Sequence, residues 1–127
     1  MISSKSVSEI RIMIYPGDLM LSRQFYTQLF QWPIQTEWDE EDSKGIMFDT
    51  GSGTIELLWE RGSVEKPANY NLSMRVVDVW SLWPELSRSA TVVFALRQNP
   101  WGDDSFCIAD PDGCKLTFFT DRRAQTV

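Results

Sequence analysis

Four pairs of residues recur at one spacing along this chain, and that spacing limits the fold more than any bulk property. Arg11 and Asn71 stand 60 positions apart, as do Asp18 and Asp78, while Asp49 and Asp110, like Glu56 and Thr117, are 61 apart. A period that runs through four successive elements means one supersecondary unit used twice. The chain is thus expected to build two copies of one small module.

Local patterning says what the module contains. Glu9 to Tyr15, EIRIMIY, alternates, with Ile10, Ile12 and Ile14 on one face and Arg11, Met13 and Tyr15 on the other, as a strand requires. Pro16 and Gly17 stop it, and Asp18 is placed to cap a helix on which Leu21, Phe25 and Leu29 recur every fourth residue until Trp32-Pro33. Short strands follow near Ile34 to Trp38, Ile46 to Asp49 and Thr54 to Trp59. After RGSVEKPANY the order repeats: a strand from Asn71 to Val77, a helix striped by Val79, Leu82, Trp83 and Leu86, then strands near Thr91 to Leu96, Ser105 to Ala109 and Lys115 to Thr120. Pro84 fits the second helix if Ser81 is its cap, because first-turn amides have no intrahelical partner. The fold class predicted is α+β, two tandem βαβββ modules over residues 8–60 and 71–121, joined by a linker at 61–70 within one domain of residues 1–127.

Composition narrows the chemistry. Histidine is absent, which removes the usual proton shuttle near neutral pH, the commonest nitrogen ligand for metals and every Ser-His or Cys-His dyad. A net charge of −6 with no clustered basic face argues against nucleic acid as a partner. No apolar run has the length of a signal peptide or a membrane span, so a cytoplasmic protein without membrane contact is expected. Cys107 and Cys114 flank the turn ADPDG; a hairpin centred on Pro111 and Asp112 sets Cys107 opposite Leu116 and Cys114 opposite Ala109, so the two read as reduced thiols. DPDG lacks the third oxygen ligand and the later glutamate of a calcium loop, Phe119 standing where that glutamate belongs; it reads as a turn whose aspartates bond local amides.

The stretches SRQFYTQLFQWP and NPWGDDSFCIADPDGCKLTFF, set in paired βαβββ modules, resemble the vicinal oxygen chelate superfamily over roughly residues 8 to 121. That group contains glyoxalase I, extradiol dioxygenases and bleomycin-resistance binding proteins. The resemblance implies a curved mixed sheet around a cavity, and a metal held from the first and fourth strands of each module. Those positions fall on Arg11, Glu56, Asn71 and Thr117, of which only Glu56 keeps a family ligand type. Arginine stays protonated and repels a dication, and neutral asparagine and threonine oxygens are weak donors. No metal and no cofactor is therefore expected, and Arg11 is expected to stand against Glu56 in the ion's electrostatic place.

Alternation adds Met13, Tyr15, Leu58, Ser73, Arg75, Lys115 and Phe119 to the lining of the implied cavity, with Trp101 at its mouth. Trp38 and Trp80 are candidates to cover a dimer contact, and the acidic run Asp39 to Asp42 is either a solvated loop or a rim that attracts a cation. The leading expectation is a metal-independent, homodimeric, bleomycin-resistance-like or glyoxalase-like protein that sequesters an aromatic or cationic small molecule in a groove. Two alternatives stay open: an enzyme with an atypical metal site or with Glu56 as general base, and a ligand-free structural dimer.

Overall fold

The computed structural model describes residues 2–62 and 71–125. Most of the expected linker, residues 63–70, lies outside the described residues. The chain divides into two compact units, residues 1–66 and 67–127. Each unit carries the anticipated strand, helix and three further strands, so the α+β reading holds, with the strands gathered in two four-stranded mixed sheets.

In the first unit β1 (Arg11–Ile14), α1 (Leu19–Leu29), β2 (Ile34–Asp39), β3 (Ser43–Asp49) and β4 (Thr54–Glu60) form a sheet of order β1-β4-β3-β2, with β1 parallel to β4 and the other pairs antiparallel. Asp18 caps α1 as expected, its Oδ1 accepting from Leu21 N at 3.1 Å. Asp18→Ala should cost about 1 kcal/mol, the usual worth of an N-cap, read as a lowered urea midpoint at unchanged slope. The helix is rotated from the expected stripe: Ser22 and Tyr26 are buried, whereas Leu21 is half exposed. The wider residue wins the core, because Tyr26 lies parallel to Phe30, Phe30 stacks on Trp32 at 3.8 Å, and Trp32 meets Phe48 of β3. The sheet face beneath α1 therefore carries Phe48 together with Ile46, Ile55 and Leu57, all nearly inaccessible.

The second unit repeats the plan with β5 (Asn71–Arg75), α2 (Val79–Ser89), β6 (Thr91–Gln98), β7 (Asp103–Ala109) and β8 (Lys115–Asp121), in the order β5-β8-β7-β6, followed by a short 3-10 turn, Arg122–Gln125. Here Asp78, not Ser81, caps the helix, accepting from Trp80 N at 3.0 Å. Pro84 consequently lies beyond the first turn and leaves the Trp80 carbonyl without its helical amide. The start of α2 is tied to the sheet instead: Thr120 Oγ1 accepts from Val79 N and donates to Val76 O, each at 2.9 Å, and Asp104 Oδ2 accepts from Trp80 Nε1 at 2.8 Å. Trp83 packs on Phe106, and Phe106 on Phe118, which identifies the helix-covered face of this sheet.

The β7–β8 hairpin also departs from the expected register. Ala109 pairs with Lys115 and Cys107 with Thr117, one residue away from the Cys107–Leu116 alignment. The cause is a five-residue loop in which Asp110 Oδ1 accepts from Asp112 N and Cys114 N while Gly113 takes a positive φ of 85°. DPDG is a turn former, as read, but it spans one position more than a tight hairpin. Both cysteines are buried.

Candidate functional site

Because neighbouring strands present side chains in register, each sheet has one face under its helix and one helix-free face. On the first sheet the helix-free face carries Arg11 and Met13 of β1, Thr54, Glu56 and Leu58 of β4, Gly45 and Met47 of β3, and Thr36 and Trp38 of β2. Tyr15 follows β1 directly and is half-buried. Alternation thus set Arg11, Met13, Glu56 and Leu58 on one face, and the strand register does the same. It missed Met47 and the pairing of Trp38 with Gly45.

The centre of this face is Glu56. It is only 7% exposed, its register neighbours are the thioether side chains of Met13 and Met47, and Leu58 follows on the same strand, 3% exposed. Its Oε2 is buried and has no hydrogen-bond partner among the described residues. Trp38 adds an aromatic surface: its ring lies so close over Gly45 that a Cβ there would collide with it, and its Nε1 donates to Ser43 Oγ at 2.8 Å. Trp38 is therefore engaged within its own module. The absence of a side chain at position 45 was the signal in the sequence, legible only once Trp38 and Gly45 are known to be cross-strand partners.

The expected Arg11–Glu56 pair is not formed. The β1–β4 register sets Arg11 opposite Thr54 and Met13 opposite Glu56, so the guanidinium turns instead to Glu9 at 3.5 Å. Glu9 also accepts from Thr54 Oγ1 at 2.5 Å, and Gln35 Nε2 donates to the same hydroxyl at 3.3 Å. The acidic run Asp39 to Asp42 is exposed and partly answered by Lys44, 3.4 Å from Asp39, and by Arg61, 2.7 Å from Asp42.

On the second sheet the helix-free face carries Asn71, Ser73 and Arg75 of β5, Lys115, Thr117 and Phe119 of β8, Ser105 and Cys107 of β7, and Phe94 and Arg97 of β6. Asn71 and Thr117 share a side-chain hydrogen bond at 3.0 Å. Arg75 lies over the Phe119 ring, its Cζ 5.6 Å from the centroid, and reaches Asp121 at 3.4 Å. The Asp121 carboxyl is held below its ordinary pKa chiefly by the hydrogen bond from the Arg123 side chain, with Arg75 a minor contributor. Arg97 lies over Phe94 at 3.9 Å, a contact unseen in the sequence because two register shifts in β6 carry both residues onto this face. Trp101 is 61% exposed in the β6–β7 turn, and Trp80 is half exposed on α2.

The four positions implied for a metal do not fit a divalent ion. Arg11 is a cation, Asn71 and Thr117 satisfy each other, and the carboxylate of Glu56 lies between two thioethers. Among the described residues no three His, Cys, Asp or Glu side chains gather. Nor is any helix among them long and apolar enough to cross a membrane.

Known structures share this architecture. TioX from Micromonospora sp. ML1 superposes with a TM-score of 0.72 at 17% identity, over 91% of this chain and 99% of that one. A glyoxylase/bleomycin resistance protein/dioxygenase domain from Frankia sp. EAN1pec gives 0.73 at 18% identity, over 96% and 94%. A glyoxalase I mutant from Zea mays gives 0.72 at 19% identity, over 87% of this chain but 43% of that longer one. No curated protein sequence matches significantly. At these identities the structural likeness establishes the fold alone, while a family model matches residues 10–118. With most of its length matched in this way, the chain belongs to the glyoxalase/bleomycin resistance protein/dioxygenase superfamily.

Proposed function

We propose that the protein is a metal-independent small-molecule binder whose ligand presents a cationic or hydrogen-bond-donating group to Glu56. The observation that carries this reading is the buried, partnerless Oε2 in an apolar setting. Leaving such an atom unmatched costs about 1–3 kcal/mol, more for a charged group, and folded proteins rarely retain one without use. Met13, Met47, Leu58 and the Trp38 ring offer the adaptable apolar surface that a hydrophobic amine would cover, thioethers being well suited to irregular ligand shapes. The first unit alone supplies both the polar anchor and the apolar surroundings.

The test is calorimetry with an arylalkylamine such as naphthylmethylamine, in the presence of a chelator. Glu56→Gln should weaken binding about tenfold, the worth of one charge-assisted hydrogen bond, with little change in thermal midpoint. Equal affinity of the wild type and Glu56→Gln would remove Glu56 as the anchor, and dependence on an added metal would favour an enzyme of the superfamily. A homodimer belongs to the same proposal, supported by the outer edge of β6, where Val92 and Val93 are 38% and 44% exposed. Sedimentation at micromolar concentration measures it.

A further inference from the structure

We propose that the helix-free face of the second module is an anion subsite for a planar aromatic carboxylate, with Arg97 and Ser105 as the carboxylate donors and Phe119 as the ring platform. The proposal extends the binding function above to a second ligand chemistry but rests on different residues. One row crosses all four strands: Arg75 of β5, Phe119 of β8, Ser105 of β7 and Arg97 of β6 are successive register partners. Three strand gaps of roughly 4.8 Å make the row about 14 Å long, enough for a fused bicyclic acid.

Each member is suited to its part. Arg97 has its Cζ over the Phe94 ring, 3.9 Å from the centroid, and has no ion pair among the described residues. A planar, fixed fork of donors matches a carboxylate in two parallel hydrogen bonds. Ser105 is 5% exposed and already accepts from Asn99 Nδ2 at 2.8 Å, so its hydroxyl proton remains to be given, and no acceptor among the described residues takes it. Asn99 is itself held by Asp103 Oδ1 at 2.7 Å, so the Ser105 oxygen is fixed from behind. Between Ser105 and Arg75 in this row lies the half-buried Phe119, whose ring carries the Arg75 guanidinium 5.6 Å from its centroid and would serve the ligand as its platform.

Charge decides whether an anion is tolerated on a chain of net −6. At physiological ionic strength charges beyond about 8 Å are largely screened, so the local field decides. Arg97 has no carboxylate partner among the described residues, Arg75 shares Asp121 with Arg123, and Asp103 lies across Asn99 from Ser105, so three guanidinium groups stand against two carboxylates. The near field is therefore positive even though the whole chain is acidic.

Calorimetry on the full chain with 1-naphthoate, and with 1-naphthamide as its neutral isostere, tests the proposal. The acid should bind at least about tenfold more tightly than the amide, and Arg97→Gln should remove that difference, since a charge-assisted pair is worth this much. Arg97 is exposed, so the variant should keep the wild-type thermal midpoint. Ser105→Ala should weaken the acid more than the amide. No binding of the acid, equal affinity for acid and amide, or an Arg97→Gln variant that still prefers the acid would each overturn the subsite. Loss of amine binding in Glu56→Gln is read separately, so either proposal can fail while the other stands.

Discussion

Asp104→Ala is expected to destabilise the protein by about 2–4 kcal/mol, the range for removing one partner of a buried charged pair that retains some solvent access. Asp104 is 4% exposed and joins three segments: its Oδ1 pairs with Arg122 of the C-terminal turn, its Oδ2 accepts from Trp80 Nε1 at the start of α2, and its backbone belongs to β7. Arg122 also donates to the carbonyls of Asp103 and Asn99, so the guanidinium keeps neutral acceptors when the carboxylate is lost. That retention, together with its 38% exposed side chain, keeps the cost below that of a fully buried orphan charge. Asp104→Asn is the control, since an amide oxygen can still serve Trp80; it should lose less than half as much. Chemical denaturation measures both, and an alanine variant as stable as wild type would show that the cluster follows the fold and does not hold it.

Glu56→Leu should act in the opposite direction. Exchanging a carboxylate that has one unmatched buried oxygen for an aliphatic side chain among Met13, Met47 and Leu58 is expected to raise stability by about 1–3 kcal/mol, as replacing buried ionic groups by apolar ones often does. The same substitution should abolish binding of the arylalkylamine. A gain in stability coupled to a loss of affinity is what a residue kept for a ligand produces. If Glu56→Leu is instead destabilised, the glutamate has a structural partner in solution and is not the anchor.

These two outcomes also separate what can be read from a pattern and what requires coordinates. The duplicated spacing, the alternation of EIRIMIY and the capping role of Asp18 were legible because they are local, and they placed Arg11, Met13, Glu56 and Leu58 on one face. Alternation determines a face but says nothing of register. The two-residue offset that sets Met13, and not Arg11, beside Glu56 depends on how β1 lies along β4, a non-local alignment with no sequence signature.

The second module makes the same point through turns and bulges. DPDG announced a turn, yet its extra residue shifted Cys107 onto Thr117, and the register shifts in β6 brought Phe94 and Arg97 together where simple alternation would have parted them. Ser81 lost the cap of α2 to Asp78, because the tie between Val79 and Thr120 begins the helix earlier than Pro84 alone suggested. The sequence by itself determined the repeat and the order of elements, since each depends on residue type and periodicity. Which side chains became neighbours was decided by strand register, bulges and loop length, because a slip of one residue between strands costs nothing in local propensity and changes every cross-strand pair.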